Sequence, residues 1–430
     1  MSEWQETDIG IIPHDWSIQS SNEYCPVITD GTHDSPKSQE SGYPLITSKH
    51  IKGNSVDFEN AYLISEKDYF DIIKRSRVDQ YDLIVSMIGE YCGFTYLEAS
   101  SNTNYAVKNV GLLKNKDLVN ARWLMYYLRS TIGNHQLQLN RSGTSQPYIS
   151  LTALRNLPIV VPISENEKKE ITDILACLDR KIENLRKQNE TLEAIAQTLF
   201  KHWFIDFEFP NADGKPYKSS GGAMEPSELG EIPIGWHVGG MDDVIEVRDG
   251  THDSPKQTDE GFHLVTSKHL KKEGIDFESA YLISKSDYIE VNKRSKVETY
   301  DILLSMIGTV GLLYFVMDKE IEFAIKNIGL FKASQNLDFA EYIFLFLSSD
   351  YGKTYFRTRL AGTTQSYLTL GSLRGMPLIV PVQMTLLEFK QIAQSLFEKT
   401  HTNNQQMHTL TRARDVLLPK LMSGKLRINP

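Results

Sequence analysis

Eight residues, Asp30-Gly-Thr-His-Asp-Ser-Pro-Lys37, occur twice without change, the second time as Asp249–Lys256. Thr32, His33, Ser35 and Lys37, with their copies Thr251, His252, Ser254 and Lys256, can all take part in hydrogen bonds. Gly31 and Pro36 mark the stretch as a loop. A His near an Asp is half of a catalytic triad, but no nucleophile accompanies it. DNA contact and plain loop structure remain as the alternatives. Two basic, hydroxyl-bearing stretches also recur. Ser48-Lys-His50 returns as Ser267-Lys-His269, and Lys74-Arg-Ser-Arg77 as Lys293-Arg-Ser-Lys296. Lys74, Arg75, Arg77, Lys293, Arg294, Lys296, Lys49 and Lys268 suit phosphate oxygens, and Arg or Lys also reads guanine O6 and N7. Their bland reading is a solvated turn. Gly143-Thr-Ser-Gln146 and Gly362-Thr-Thr-Gln365 each predict a tight turn with a projecting Gln, which pairs well with adenine N6 and N7. Thr144, Gln146, Thr363 and Gln365 are candidates there, and the basic Lys108, Arg141, Lys326 and Arg359 flank the same repeats.

Constellations for other chemistry are missing. No Gly-x-x-x-x-Gly-Lys-Ser/Thr phosphate loop, Gly-x-Ser-x-Gly elbow or His-Glu-x-x-His helix occurs. No two prolines are adjacent, which removes the Asn/Asp-Pro-Pro-Tyr/Phe signature of amino-methyltransferases. Cys25, Cys92 and Cys177 are too few and too scattered for a disulfide framework or a Cys-rich zinc site, and suit a reducing cytoplasm.

The elements that must hold these residues are themselves duplicated, at an offset of 219 positions. Over residues 30–90, 35 of 61 positions are identical to the second copy, which makes this a domain duplication rather than a solenoid of 20–50-residue repeats. Similar leads, Asp8–Trp16 and Glu228–Trp236, introduce the copies, and the proline-bounded runs Leu157–Pro162 and Met376–Pro381 close them. Short apolar runs (Tyr81–Ile88, Val110–Leu113, Ile159–Val161) between turn residues read as strands. Leu118–Thr131 and Leu337–Ser348 read as helices, so each copy is a compact α/β or α+β domain. From Glu165 to Trp203, apolar or small residues at 171, 175, 178, 182, 185, 192, 196 and 199 form a heptad seam. Asn189 fills the remaining seam position, where a buried Asn sets register. Ser164 and Glu167 predict a capping box. A second helix is expected over about Leu386–Leu421, with Phe389, Ile392, Leu396, Leu410 and Leu417 on one face and a polar middle of Lys399, Asn403 and Gln406. The two are expected to pair antiparallel as a rigid spacer. The expected organisation is a first domain over 1–163, a helix over 164–205, a linker over 206–227, a second domain over 228–382, and a second helix with its tail over 383–430.

The net charge of −9 argues against nucleic acid as a partner. Its distribution matters more, because a phosphate backbone responds to local potential. Residues 1–34 carry seven acids and no Lys or Arg, while residues 104–141 carry Lys108, Lys114, Lys116, Arg122, Arg129 and Arg141 against Asp117 alone. No apolar run approaches the roughly 20 residues of a membrane helix. The opening MSEWQETDIG has neither the basic nor the apolar region of a secretory signal. A cytoplasmic protein without a membrane partner is expected.

Leu199-Phe-Lys-His-Trp-Phe-Ile-Asp-Phe207, Glu228-Leu-Gly-Glu-Ile-Pro-Ile-Gly-Trp236, Arg414-Asp-Val-Leu-Leu-Pro-Lys-Leu-Met-Ser-Gly-Lys425 and the Gly-Thr-x-Gln turn together resemble the specificity subunits of type I restriction-modification systems. The resemblance covers essentially the whole chain. It implies an α+β fold: two duplicated target-recognition domains separated by two long antiparallel coiled-coil helices, with pseudo-two-fold symmetry. It implies a non-enzymatic chain that binds double-stranded DNA at a bipartite site, docks two methyltransferase subunits on its helices and is joined by restriction/translocase subunits. S-adenosylmethionine, ATP and Mg would then be used by the partners, and this chain would hold no cofactor or metal. The competing reading is a stand-alone DNA-modifying or DNA-cleaving enzyme.

Overall fold

The computed structural model describes residues 4–428 apart from 54, 144 and 363–365. The chain packs as two compact units. One comprises the chain up to Ile182 together with Thr409 onward; the other is Glu183–His408. Each takes one copy of the repeat and a stretch of both long helices.

In the first unit, a four-stranded antiparallel sheet runs in the order Ile28–Asp30, Val110–Leu113, Leu83–Ser86, Thr95–Leu97. Its two central strands are buried at every position, as short unbroken apolar runs require. Beside it, Tyr43–Thr47 pairs antiparallel with Leu63–Ile64 and parallel with Ala106–Lys108. Trp16–Ser20 pairs with Pro158–Pro162, so the lead and the closing strand of the copy lie together. The second unit repeats this plan. Val247–Asp249, Ile328–Phe331, Ile302–Ser305 and Leu313–Phe315 form its four-stranded sheet, and Phe262–Thr266 runs parallel to Phe323–Lys326. His237–Gly240 pairs with Pro377–Val380. The mixed pairing makes each copy α+β.

One residue, Asn109, turns the chain from Ala106–Lys108 in one sheet to Val110–Leu113 in the other. Its φ is 56°, and Asn327 repeats it at 52°. Asn tolerates this left-handed conformation better than most side chains, because its short amide bonds locally.

The long helices are Glu165–Phe204 and Gln383–Met422. Ile171, Leu175, Ile182, Leu185 and Ala196 are buried along the expected seam of the first. Within each unit the helices run antiparallel. In the first unit Arg414 Nη1 bonds Asp179 at 3.1 Å and Arg427 bonds Glu167. In the second, Asn189 Nδ2 donates to Asn404 Oδ1 at 2.7 Å, and Asn403 Nδ2 donates to Asn189 Oδ1 at 2.8 Å. The seam of the second helix differs from expectation. Ala393, Asn403 and Met407 are buried, whereas Ile392 is 44% exposed. Half of the predicted capping box forms. Ser164 Oγ accepts from the Glu167 amide at 3.3 Å, but the Glu167 carboxylate accepts instead from Arg427 and Trp16.

The stretch 206–227 is not a plain linker. Phe207 and Phe209 are buried, Tyr217 stacks on Phe209 at 4.6 Å, and Met224–Ser227 forms a hairpin with Gly230–Pro233. They extend an aromatic core in which Phe204 lies 4.8 Å from Phe389 and 5.8 Å from Trp236. Each buried aromatic contributes roughly 1.5–3 kcal/mol, so the Leu199–Phe207 junction anchors the helix to the second copy.

Candidate nucleic-acid interface

The repeated octapeptide begins at the end of an edge strand and folds over the Asn109 turn. Gly31 is required by a close approach: a Cβ there would lie 2.5 Å from the Val107 carbonyl oxygen, and at Gly250 2.5 Å from that of Ile325. The Gly31 amide donates to Val110 O at 2.8 Å and the Thr32 amide to Val107 O at 3.0 Å, which stitches the loop across the turn.

A four-residue network sits on this base. Asp30 is buried, and its carboxylate accepts from Arg75 Nη2 and from His33 Nε2, the latter at 2.9 Å. His33 Nδ1 meets Asn109 Oδ1 at 3.2 Å. The second copy has the same arrangement. Asp249 accepts from Arg294 Nη2 and from His252 Nε2 at 3.0 Å, and His252 Nδ1 meets Asn327 Oδ1 at 2.8 Å. The carboxylate is almost shielded while the cation and the ring face water. His33 is 66% and Arg75 59% exposed, against 10% for Asp30. Nε and Nη1 of Arg75 and Arg294 make no hydrogen bond among the described residues, so three donors per guanidinium stay available for a phosphate or a base edge. Lys108 Nζ reaches Ser35 Oγ, as Lys326 reaches Ser254. Lys37, Lys49, Lys256 and Lys268 are exposed and form no ion pair among the described residues.

Several sequence candidates take other places. Ser48, His50, Ser267 and His269 are buried and serve the fold. Ser48 Oγ donates to the Asn109 carbonyl at 2.6 Å and Ser267 Oγ to that of Asn327 at 2.9 Å, bracing the turn. His50 Nδ1 accepts from the Thr47 amide at 3.0 Å, and His269 Nδ1 from the Thr266 amide at 2.9 Å. Burial holds both imidazoles below their usual pKa and the adjacent lysines add to this. Lys74, Arg75 and Ser76 form the last turn of the helix Glu66–Ser76 rather than a loop. Lys74 pairs with Asp71 at 2.6 Å, Arg77 with Asp79 at 3.1 Å, Lys293 with Glu290 at 2.6 Å and Lys296 with Glu298 at 3.3 Å. Thr32 and Thr251 accept from the amides of Asp34 and Asp253, each at 3.1 Å. Arg141 is half-buried and donates to Gln138 at 2.5 Å, whereas Arg359 lies 3.9 Å over the Tyr355 ring. Gln146 is exposed. Thr144, Thr363 and Gln365 lie outside the described residues.

The basic run 104–141 is largely spent internally. Lys114 bonds the buried Asp82 at 2.6 Å, and Arg122 pairs with Asp173 at 3.4 Å. Burial nevertheless raises the Asp82 carboxyl above its ordinary pKa. Asn109, Asn327, Asp30 and Asp249 are the site residues that sequence reasoning missed. The two Asn lie in the repeated Ala-Val-Lys-Asn-Val-Gly-Leu112 and Ala-Ile-Lys-Asn-Ile-Gly-Leu330, and the two Asp open the repeated octapeptide.

Among the described residues, no hydroxyl or thiol bonds to His33 or His252 beyond these partners. Nor do any three His, Cys, Asp or Glu side chains among the described residues group as a metal site would need. The arrangement is one for binding an anion or a base edge. The family described as "Type I restriction modification DNA specificity domain" matches residues 13–194 and 233–410, one match per copy. The chain belongs to this family. Similar proteins include the type I restriction enzyme MjaIX specificity subunit of Methanocaldococcus jannaschii, 28% identical over 99% of this chain and 97% of that protein. The HindI specificity subunit of Haemophilus influenzae is 24% identical over 99% of this chain and 100% of its own length. The crystal structure of the S subunit of the M. genitalium type I restriction-modification system shares the fold, with a TM-score of 0.55 over 94% of this chain and 96% of that one at 16% identity. As a specificity subunit the chain is a targeting protein rather than an enzyme. No helix among the described residues is long and apolar enough to cross a membrane.

Proposed function

We propose that this specificity subunit recognises a bipartite, interrupted and nearly palindromic site in double-stranded DNA and brings adenine-N6 methyltransferase and restriction subunits to it. The observation that carries this reading is the Asp–His–Asn–Arg network, built twice with the same bonds and beside the same Lys–Ser pair. Two equivalent readers in one chain fit two half-sites on opposite strands, as in dimeric readers of palindromes. Arg75 and Arg294 would contact phosphate or guanine, with Lys37, Lys49, Lys256 and Lys268 tracking the backbone. Two methyltransferase subunits would dock on the long helices. S-adenosylmethionine, ATP and Mg2+ would be handled by those partners and by the translocase in the cytoplasm.

Methylome sequencing of cells with and without this subunit tests the reading. N6-methyladenine at an interrupted two-part motif should appear only when the subunit is present. Methylation that is unchanged by its loss, or turnover by the purified chain alone, would overturn the proposal.

A further inference from the structure

The two copies share their framework, and one of the places where they differ is a hairpin tip. In the first unit, the turn between Leu83–Ser86 and Thr95–Leu97 carries Gly89-Glu-Tyr-Cys-Gly93; in the second the corresponding turn is Gly308-Thr-Val-Gly311, one residue shorter. One bridge is shared, Ile88 with Tyr148 and Ile307 with Tyr367, but the Met87 amide donates to the Asn109 carbonyl whereas the Met306 amide donates to Ser267 Oγ. Only the first tip is aromatic. Tyr91 and Phe94 meet edge-on with centroids 5.5 Å apart, and Phe94 is 44% exposed. Lys52 Nζ lies 3.9 Å from the Tyr91 ring centroid. Its counterpart Lys271 folds back onto the Lys268 carbonyl at 3.0 Å. The tip joins the candidate interface directly, because the Met87 amide donates to the carbonyl of Asn109, whose side chain meets His33.

We propose that Tyr91 and Phe94, held by Lys52, are specificity-determining residues that contact a base step of double-stranded DNA in the half-site read by the first unit only. This rests on the DNA-targeting reading above. Tyr91 is half-buried and Phe94 exposed; a ring presented beside a cation can stack on a base or wedge into a base step, and the lysine adds attraction for the backbone. In the second unit Thr309 and Val310 offer no such surface, so the two half-sites should differ next to the position this tip reaches.

The test is methylated-adenine mapping and DNA affinity of the assembled complex carrying Tyr91→Val with Phe94→Leu, residue types found at the second tip. The expected result is a roughly tenfold or greater loss of preference at one or two adjacent base pairs of a single half-site. The other half-site should remain intact. Tyr91→Phe with native Phe94 keeps both rings and should recover the preference, which separates ring contact from a folding defect. An unchanged motif, or an equal loss on cognate and random DNA, would overturn this inference while the DNA-targeting reading stands. Absence of any bipartite motif with the unaltered chain would overturn both.

Discussion

At the scale of single residues, the site depends on a buried acid that points other groups outward. Asp30 fixes both Arg75 and His33, so its removal should cost DNA affinity even though it is buried. Arg75→Ala is expected to weaken cognate binding by about 1–3 kcal/mol, the usual worth of a well-placed contact. Asp30→Ala should lose a similar amount, and the double variant little more than either one, because both changes remove one unit. A titration of the four complexes against labelled DNA checks this; additive losses would refute the coupling. His33 and Arg75 were legible as candidates because their types suit DNA and their positions recur. Ser48 and His50 recur equally, yet face inward, since residue type does not reveal which side of a short turn a side chain takes. Asn109 was overlooked although its stretch is repeated, because a repeat does not show that one of its residues is left-handed and joins two sheets. A second residue-scale expectation concerns Glu341. It is buried, its Oε2 lacks a partner, and burial raises its carboxyl above the ordinary range. A raised acid favours its neutral form in the folded state. Its contribution to stability is therefore present below the unfolded pKa and is lost as pH rises through the folded value. Glu341→Gln should stabilise the second unit by about 1–3 kcal/mol near pH 7.5, the cost of an unsatisfied buried group, and by little near pH 4. Denaturant unfolding at both pH values measures the difference.

At the scale of elements, the long helices were the most legible part of the fold, because a seam of alternating four and three needs only periodicity to be seen. Five of the nine expected seam positions of the first helix are buried, and Leu178, Asn189, Leu192 and Leu199 are half-buried. The second helix was misphased at Ile392 because its polar middle interrupts the pattern that would have fixed the phase. That middle turns out to be the partner of Asn189. Asn403 is fully buried and donates to Asn189 Oδ1, and Asn189 donates in turn to Asn404. Asn189→Leu alone should destabilise the second unit by about 1–3 kcal/mol, since it strands the Asn403 amide. Asn189→Leu with Asn403→Leu should recover that loss or exceed the native stability, at the expense of a single helix register. Unfolding midpoints of the native chain and the two variants, with cysteine cross-linking across the helix pair to report register, provide the measurement. A double variant as unstable as the single one would exclude the amide network as the cause.

At the scale of the whole molecule, function follows from having the same reader twice. The lead, the octapeptide, the braced Asn turn and the Lys–Ser pair recur with the same bonds in both units. Each repeated bond constrains where a contacting side chain sits, so the half-sites should share most of their bases, with differences at the divergent segments Ser38–Pro44 against Gln257–His263 and Glu90–Tyr105 against Thr309–Phe323. Duplication also makes the readers separable. Asp30→Ala should relax one half of the methylated motif and leave the other, and Asp249→Ala should do the reverse, each lowering cognate affinity by about 1–3 kcal/mol. The two changes lie in different compact units and share no bonding partner, so their combined loss should be close to additive. This contrasts with the coupled loss expected for Asp30 and Arg75 inside one unit. Methylated-adenine mapping of cells carrying each variant distinguishes the outcomes. If either single variant degraded both halves of the motif equally, the units would not read separate half-sites, and the two-reader account of the chain would fail.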